Sequence, residues 1–89
     1  MRELLTTSQF KKDLKRAKKR GKNRDKLGRI VEKIVADEPL APRHKPHRLS
    51  GDWSACWECH IEPDWLLIWD EDEDRIVLIR TGTHADLFN

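Results

Sequence analysis

Residues 56–69 read CWECHIEPDWLLIW, and the periodicity of this stretch decides the architecture. Trp57, Cys59 and Ile61 alternate with polar neighbours, the period of two that sends every second side chain to one face of a strand. The alternation reaches back through Ala55 and Trp53 towards Gly51. EPDW, residues 62–65, is a turn in which Pro63 is preset for the second position. WLLIW, residues 65–69, then reads as a buried strand, and DEDED, residues 70–74, as an acidic hairpin loop. RIVLIRT, residues 75–81, is the next strand and ends at Gly82, leaving THADLFN as a short tail.

Towards the N-terminus the period changes. Pro39, Pro42 and Pro46 block any helix in EPLAPRHKPHRLSG, residues 38–51, so this segment is expected to be extended. Before it, Leu27, Ile30, Val31, Ile34 and Val35 follow the i, i+3, i+4, i+7 rule of a half-buried helix starting near Asn23 or Arg24 and stopped by Pro39. An earlier helix carries Phe10, Leu14 and Ala17 on one stripe and ends at Gly21. Thr6 and Gln9 have the spacing of a capping box at its start. The short GKN link, residues 21–23, makes the two helices an antiparallel hairpin. RELLT, residues 2–6, fits a brief strand. The expected layout is β-α-α-β-β-β, a single α+β domain over residues 1–89, with the helical hairpin packed on one face of a mostly antiparallel sheet.

A chain of 89 residues, 37% apolar and 38% charged, supports one modest core, for which its four Trp are the obvious bulk. It contains no apolar run long enough for a transmembrane helix. MRELLTTSQF lacks the apolar segment of a secretory signal, and two Cys without such a signal point to free thiols in a reducing cytoplasm. The net charge of +2 conceals a split. Residues 1–33 hold 13 Lys/Arg against 4 Asp/Glu, whereas residues 34–89 hold 5 against 12. So basic an N-terminal half suits a polyanionic partner such as nucleic acid, or else a solvated helix face.

Cys56, Cys59 and His60 spell C-x-x-C-H, which admits three readings. Covalent haem attachment requires export, which nothing indicates. A zinc site with His44 and His47 requires the cysteines to converge, yet residues three apart on a strand face opposite ways. The cysteines are therefore expected to be small, half-buried strand residues, and no metal ligand or cofactor is expected. The four histidines differ: His44, His47, His60 and His84 fall in loops and at element ends, where sites are built. If EPDW folds the chain back, His60 and Asp64 can face one cleft. Imidazoles near neutrality can supply both a general base and a general acid. Histidines, an aspartate and a basic half suit RNA cleavage through its own 2′-hydroxyl, which needs no cofactor and leaves a 2′,3′-cyclic phosphate.

The segments HRLSGDW (47–53), HIEPDWLLIW (60–69) and RTGTHADLF (80–88) resemble the YafQ-type toxins of the RelE/ParE superfamily, and the resemblance spans essentially the whole chain. It implies the toxin of a type II toxin–antitoxin pair: a ribosome-dependent, metal-independent mRNA interferase cutting in the ribosomal A site. The implied partners are mRNA, the ribosome and a DNA-binding, DinJ-like antitoxin, with operator DNA reached only through that antitoxin and no membrane involved. By motif, the resemblance implies catalytic roles for His47, His60, Asp64 and His84. It makes Trp65 and Phe88 candidates for stacking on a nucleotide, although either could be core. Trp57 and Trp69 are assigned to the core. Lys11, Lys12, Lys15, Arg16, Lys18, Lys19 and Arg20 would contact ribosomal RNA phosphates. Trp69 stands where a tyrosine is expected, and with no Tyr in the chain a tyrosine-based cleavage scheme is ruled out. The alternative from another class is a non-enzymatic, gyrase-inhibiting ParE-like toxin of the same fold, which would have no use for the histidine set.

Overall fold

The computed structural model describes residues 2–51 and 56–88. The expected strand positions Trp53 and Ala55 lie outside them. Strand β1 (Glu3–Thr6) leads into helices α1 (Ser8–Lys19) and α2 (Arg24–Val35), then strands β2 (His47–Arg48), β3 (Trp57–Glu62), β4 (Trp65–Glu71) and β5 (Arg75–Gly82), and helix α3 (His84–Phe88). The five strands form one sheet in the order β1-β5-β4-β3-β2. β1 runs parallel to β5, and the other three pairings are antiparallel. The α+β class and the mostly antiparallel sheet are as expected. None of the described helices is long and apolar enough to cross a membrane.

α1 starts one residue later than its sequence suggests. Thr7, not Thr6, is the N-cap: its Oγ1 accepts from Phe10 N at 3.0 Å and donates to the Ile79 carbonyl at 2.7 Å. Gln9 does not close a capping box but donates to Asp13 Oδ1 at 3.1 Å. The helix ends at Lys19 with Arg20 as its C-cap, and Gly21 follows with a φ of +80° that is accessible to glycine at little cost. Asn23 caps α2 by accepting from Asp25 N at 2.9 Å. Two further segments differ from expectation. Pro42–His44 winds into a single 3-10 turn, because proline is tolerated at a first helical position even where it blocks a longer helix. The terminal tail is not a simple extension but α3, capped by Thr83 and Asp86: Thr83 Oγ1 accepts from Asp86 N at 3.1 Å, and the Asp86 carboxylate accepts from Thr83 N at 3.0 Å.

Strand alternation divides the core between two faces. On one, Cys59, Ile61, Trp65, Leu67, Trp69, Ile76 and Leu78 meet Phe10, Ala17, Leu27, Ile30, Val31 and Ile34 of the helical hairpin. On the other, Cys56, Leu66 and Ile68 pack with Leu87 of α3. The two cysteines thus lie in clusters on opposite faces, as the spacing argument requires. Both are free and buried, and burial pushes the Cys59 thiol up to about 12. Trp69 is buried, while half-buried Trp57 stacks on it with centroids 6.3 Å apart and has the Arg48 guanidinium over its ring.

One core position is charged. Asp13 lies on the buried stripe of α1 between Phe10 and Ala17 and is 1% exposed. Its carboxylate accepts from Arg80 Nε at 2.8 Å, Arg80 Nη2 at 3.0 Å, Gln9 at 3.1 Å and the Thr81 backbone N–H at 3.2 Å. Burial pushes its pKa up, but these bonds outweigh that and hold it below the usual carboxylate range. The ion pair fastens α1 to β5.

Candidate active site

The register of the sheet places the candidate residues. His60 on β3 pairs with Leu66 on β4, and Leu66 pairs with Gly82 on β5, so one row crosses three strands. Immediately after Gly82 the chain turns into α3, which folds back on the face away from the helical hairpin. A side chain at Gly82 would put its Cβ 2.9 Å from the Asp86 side chain, so glycine is required for this tight return. The return brings the His84 ring to 5.8 Å from the His60 ring, centroid to centroid.

Asp64 sits in the β3–β4 turn opposite. Its Oδ1 accepts from both His84 Nδ1, at 2.7 Å, and His84 N, at 3.0 Å. The backbone N–H bond from His84, followed by the ring bond, holds the Asp64 carboxyl below its ordinary pKa. His60 Nδ1 donates to the Pro63 carbonyl at 3.2 Å. A carbonyl can only accept, so Nδ1 carries the proton and Nε2 of the neutral ring keeps a lone pair. The expectation that His60 and Asp64 flank one hairpin end is met, and His84 completes the group.

His47 is held differently. On the short edge strand β2 it pairs with Glu58 of β3, and its Nε2 lies 3.2 Å from Glu58 Oε1 while its Nδ1 faces the Lys45 carbonyl at 2.8 Å. Both ring nitrogens thus face oxygen acceptors. Glu58 is 5% exposed and its Oε2 has no partner among the described residues. Sequence reasoning passed over Glu58 because an acid in an alternating strand reads as solvent-facing. The available signal was its place two residues before His60, on the same face of β3.

The two aromatic candidates separate. Phe88 is 46% exposed and its ring lies 6.4 Å from His84, open to a ligand. Trp65 is 1% exposed, packed beneath the hairpin with its indole N–H donating to Thr81 Oγ1 at 2.9 Å. Stacking on a nucleotide is excluded for a ring so covered; Trp65 belongs to the core.

All seven basic α1 candidates are exposed. Arg16 and Arg20 are also engaged: Asp86 of α3 lies 3.5 Å from Arg16 and accepts from Arg20 at 2.7 and 3.3 Å. The Arg20 bond, together with the Thr83 N–H, keeps the Asp86 carboxyl well below its usual range. The pair ties the helix bearing His84 to the basic helix. Lys11, Lys12, Lys15, Lys18 and Lys19 have no acidic partner among the described residues. Those residues also contain no group of three or more side chains suited to a metal ion.

The profile of a family described as bacterial toxin of type II toxin–antitoxin system, YafQ, matches residues 2–89. The chain belongs to the YafQ family of type II toxins. It is 38% identical to the mRNA interferase toxin YafQ of Escherichia coli K12 over 88 residues, covering 98% of this chain and 96% of that protein. Among solved structures it is similar to the E. coli DinJ–YafQ toxin–antitoxin complex, with a TM-score of 0.92, 37% identity, and 99% and 98% of the two chains covered. It is equally similar to a metal-bound toxin from Helicobacter pylori, with a TM-score of 0.93, 37% identity, and 99% and 100% covered. These likenesses extend to the small RelE-like fold. The YafQ-type assignment therefore rests on sequence and architecture together.

Proposed function

We propose that this YafQ-family toxin is an endoribonuclease, a ribosome-dependent mRNA interferase that cleaves mRNA in the A site by 2′-hydroxyl attack. The observation that carries the reading is the apposition of His60 and His84, two imidazoles 5.8 Å apart with their Nδ1 atoms anchored. That anchoring leaves both Nε2 atoms without a protein partner among the described residues.

His60 Nε2 takes the proton from the 2′-hydroxyl, and the 2′-oxygen attacks the adjacent phosphorus. The P–O5′ bond breaks, and His84 Nε2 gives its proton to the departing 5′-oxygen. The products are a 2′,3′-cyclic phosphate and a 5′-hydroxyl. Asp64 orients His84 and compensates the charge of the protonated ring, the part a carboxylate plays behind a catalytic histidine elsewhere. His47, held against Glu58, assists at the phosphate. Phe88 offers an exposed ring for a base, and the α1 lysines supply phosphate contacts on the ribosome. In this scheme the side chains do all the proton transfer, and no step calls for a metal.

The E. coli relative forms a complex with DinJ. By the same token this toxin is held by a cognate DinJ-like antitoxin, contacts operator DNA only through it, and works in the cytoplasm without membrane contact. The test is cleavage of an mRNA on programmed ribosomes, with end-group analysis of the products. A 2′,3′-cyclic end, and resistance of an mRNA carrying a single 2′-deoxynucleotide at the scissile position, are the expected results. Cleavage of the deoxy substrate would refute the scheme. Toxicity without any cleavage would point instead to a ParE-like mode of protein binding.

A further inference from the structure

A second basic region lies apart from α1. Between α2 and the 3-10 turn Pro42–His44 the surface encloses a cavity of about 440 Å³ lined by Lys26, Arg29, Lys33, Arg43 and His44, with Ile30, Ile61 and Ala41 also in its wall. Lys26, Arg29 and Lys33 recur at helical spacing, so α2 presents all three along one side. Lys26 is neutralised by Glu62, its Nζ 2.9 Å from Oε2. Arg29, Lys33 and Arg43 are exposed and have no acidic partner among the described residues. The opposite wall is anchored: His44 Nδ1 donates to the His60 carbonyl at 2.6 Å, fixing the 3-10 turn to β3. Three free cations thus line a nucleotide-sized cavity that has Ile30, Ile61 and Ala41 as an aliphatic patch in its wall.

We propose that this α2 pocket is a second RNA-binding site, which takes a phosphate-bearing nucleotide of ribosomal RNA. The inference rests on the ribosome-dependent reading above and extends it to residues outside the basic α1 helix. Ribosomal RNA, and not the mRNA being cut, is the occupant for a geometric reason. Ile30 and Ile61 belong to the core on the helical-hairpin face, whereas Leu87 of α3, the helix that carries His84, packs on the other. The pocket can therefore be filled while mRNA occupies the histidines. The guanidinium groups of Arg29 and Arg43 offer planar forks to phosphate oxygens, and the aliphatic wall can receive a base or ribose.

The test is binding of the full-length toxin to 70S ribosomes across a salt series of roughly 50 to 200 mM. The proteins compared are wild type, the charge-reversed variant Arg29→Glu/Lys33→Glu/Arg43→Glu, and the milder Arg29→Gln/Lys33→Gln/Arg43→Gln. Each lost phosphate contact lowers the slope of log affinity against log salt by about 0.7 to 0.9, so the Gln variant is expected to lose about 2 to 3 in slope. Its affinity at low salt is expected to fall at least tenfold, with the Glu variant weaker still. Because the three residues are exposed, melting temperatures should match the wild type, which separates binding from folding. An unchanged slope and affinity in both variants would overturn the proposal while leaving the ribosome-dependent reading intact. So would a variant that binds ribosomes normally but has lost antitoxin affinity, since the pocket would then belong to an acidic peptide. A wild type with no ribosome affinity would overturn both.

Discussion

Asp13 and Asp64 each bind a basic side chain from β5 or just beyond it, and the contrast between them separates what holds this protein together from what it does. Asp13 is 1% exposed, and its two oxygens share four donors, the Arg80 fork among them. Asp64 has a side chain 64% exposed and uses one oxygen for two donors, both from His84. Both carboxyls are held below their usual range, so a depressed pKa does not by itself distinguish them. Burial and saturation do. A carboxylate with every lone pair engaged inside the core has no capacity left for a substrate. One that orients an exposed imidazole from the rim leaves that imidazole free to react.

The contrast can be broken most sharply at the histidines. His84→Ala and His60→Ala are each expected to lower cleavage by about 10² to 10⁴, the usual range for removing a general acid or base. Thermal unfolding should stay unchanged, since His84 is exposed and His60 only half-buried. Asp13→Ala should do the reverse. It strands Arg80 and removes the tie between α1 and β5, a loss of about 3 to 5 kcal/mol by the precedent of broken buried pairs, measurable by urea unfolding. An Asp13→Ala protein of undiminished stability would show that the buried pair is dispensable.

Smaller effects sharpen the boundary. Asp64→Asn keeps a hydrogen-bonding side chain but loses the charge behind His84. Its cleavage rate should drop by about one to two orders of magnitude, with a small fall in melting temperature at neutral pH, because the lowered pKa of Asp64 is itself a modest stability contribution from this exposed carboxylate. Asp86→Asn weakens the clamp between α3 and Arg20, and a few-fold loss of cleavage is expected from a less well-held His84. It also has a pH signature. The folded-state pKa of Asp86 is lowered, so its contribution to stability is complete above the unfolded value of about 4 and disappears as pH falls through the folded one. Wild type and Asp86→Asn should therefore differ in melting temperature at neutral pH and converge in strong acid. Curves that remain parallel down to pH ~2 would show that Asp86 acts through something other than its charge.

Much of the fold is legible because hydrophobic period and breakers agree. The alternation through β3, the apolar run of β4 and the i, i+3, i+4 stripe of α2 each admit one pairing of element and face. What escaped was local chemistry within stretches too short for a period. HADLF is five residues of helix fixed by the Thr83–Asp86 box and the Arg20 contact, neither visible as a repeat. Thr6 and Thr7 are equally good caps by composition, and only the Thr7 hydroxyl reaching the Ile79 carbonyl selects between them. The candidate residues were legible as motifs; the structure brings His60, Asp64, His84 and Phe88 together and holds His47 against Glu58 on β2. Trp65, left open between stacking and core, and Glu58, passed over, were undecided for one reason: burial in this sheet depends on what lies above each residue. Trp65 lies under the hairpin, and Glu58 lies beneath His47 at the sheet edge.

The most direct measurement is the single-turnover cleavage rate on programmed ribosomes that keep their Mg²⁺, using toxin treated with EDTA and freed of it beforehand, for wild type, His60→Ala and His84→Ala. A wild-type rate unaffected by EDTA that collapses in both variants is the expected result, as it places the proton transfers on two imidazoles. A wild-type rate abolished by EDTA, or a His84→Ala protein as fast as wild type, would contradict a metal-free reaction carried by His60 and His84.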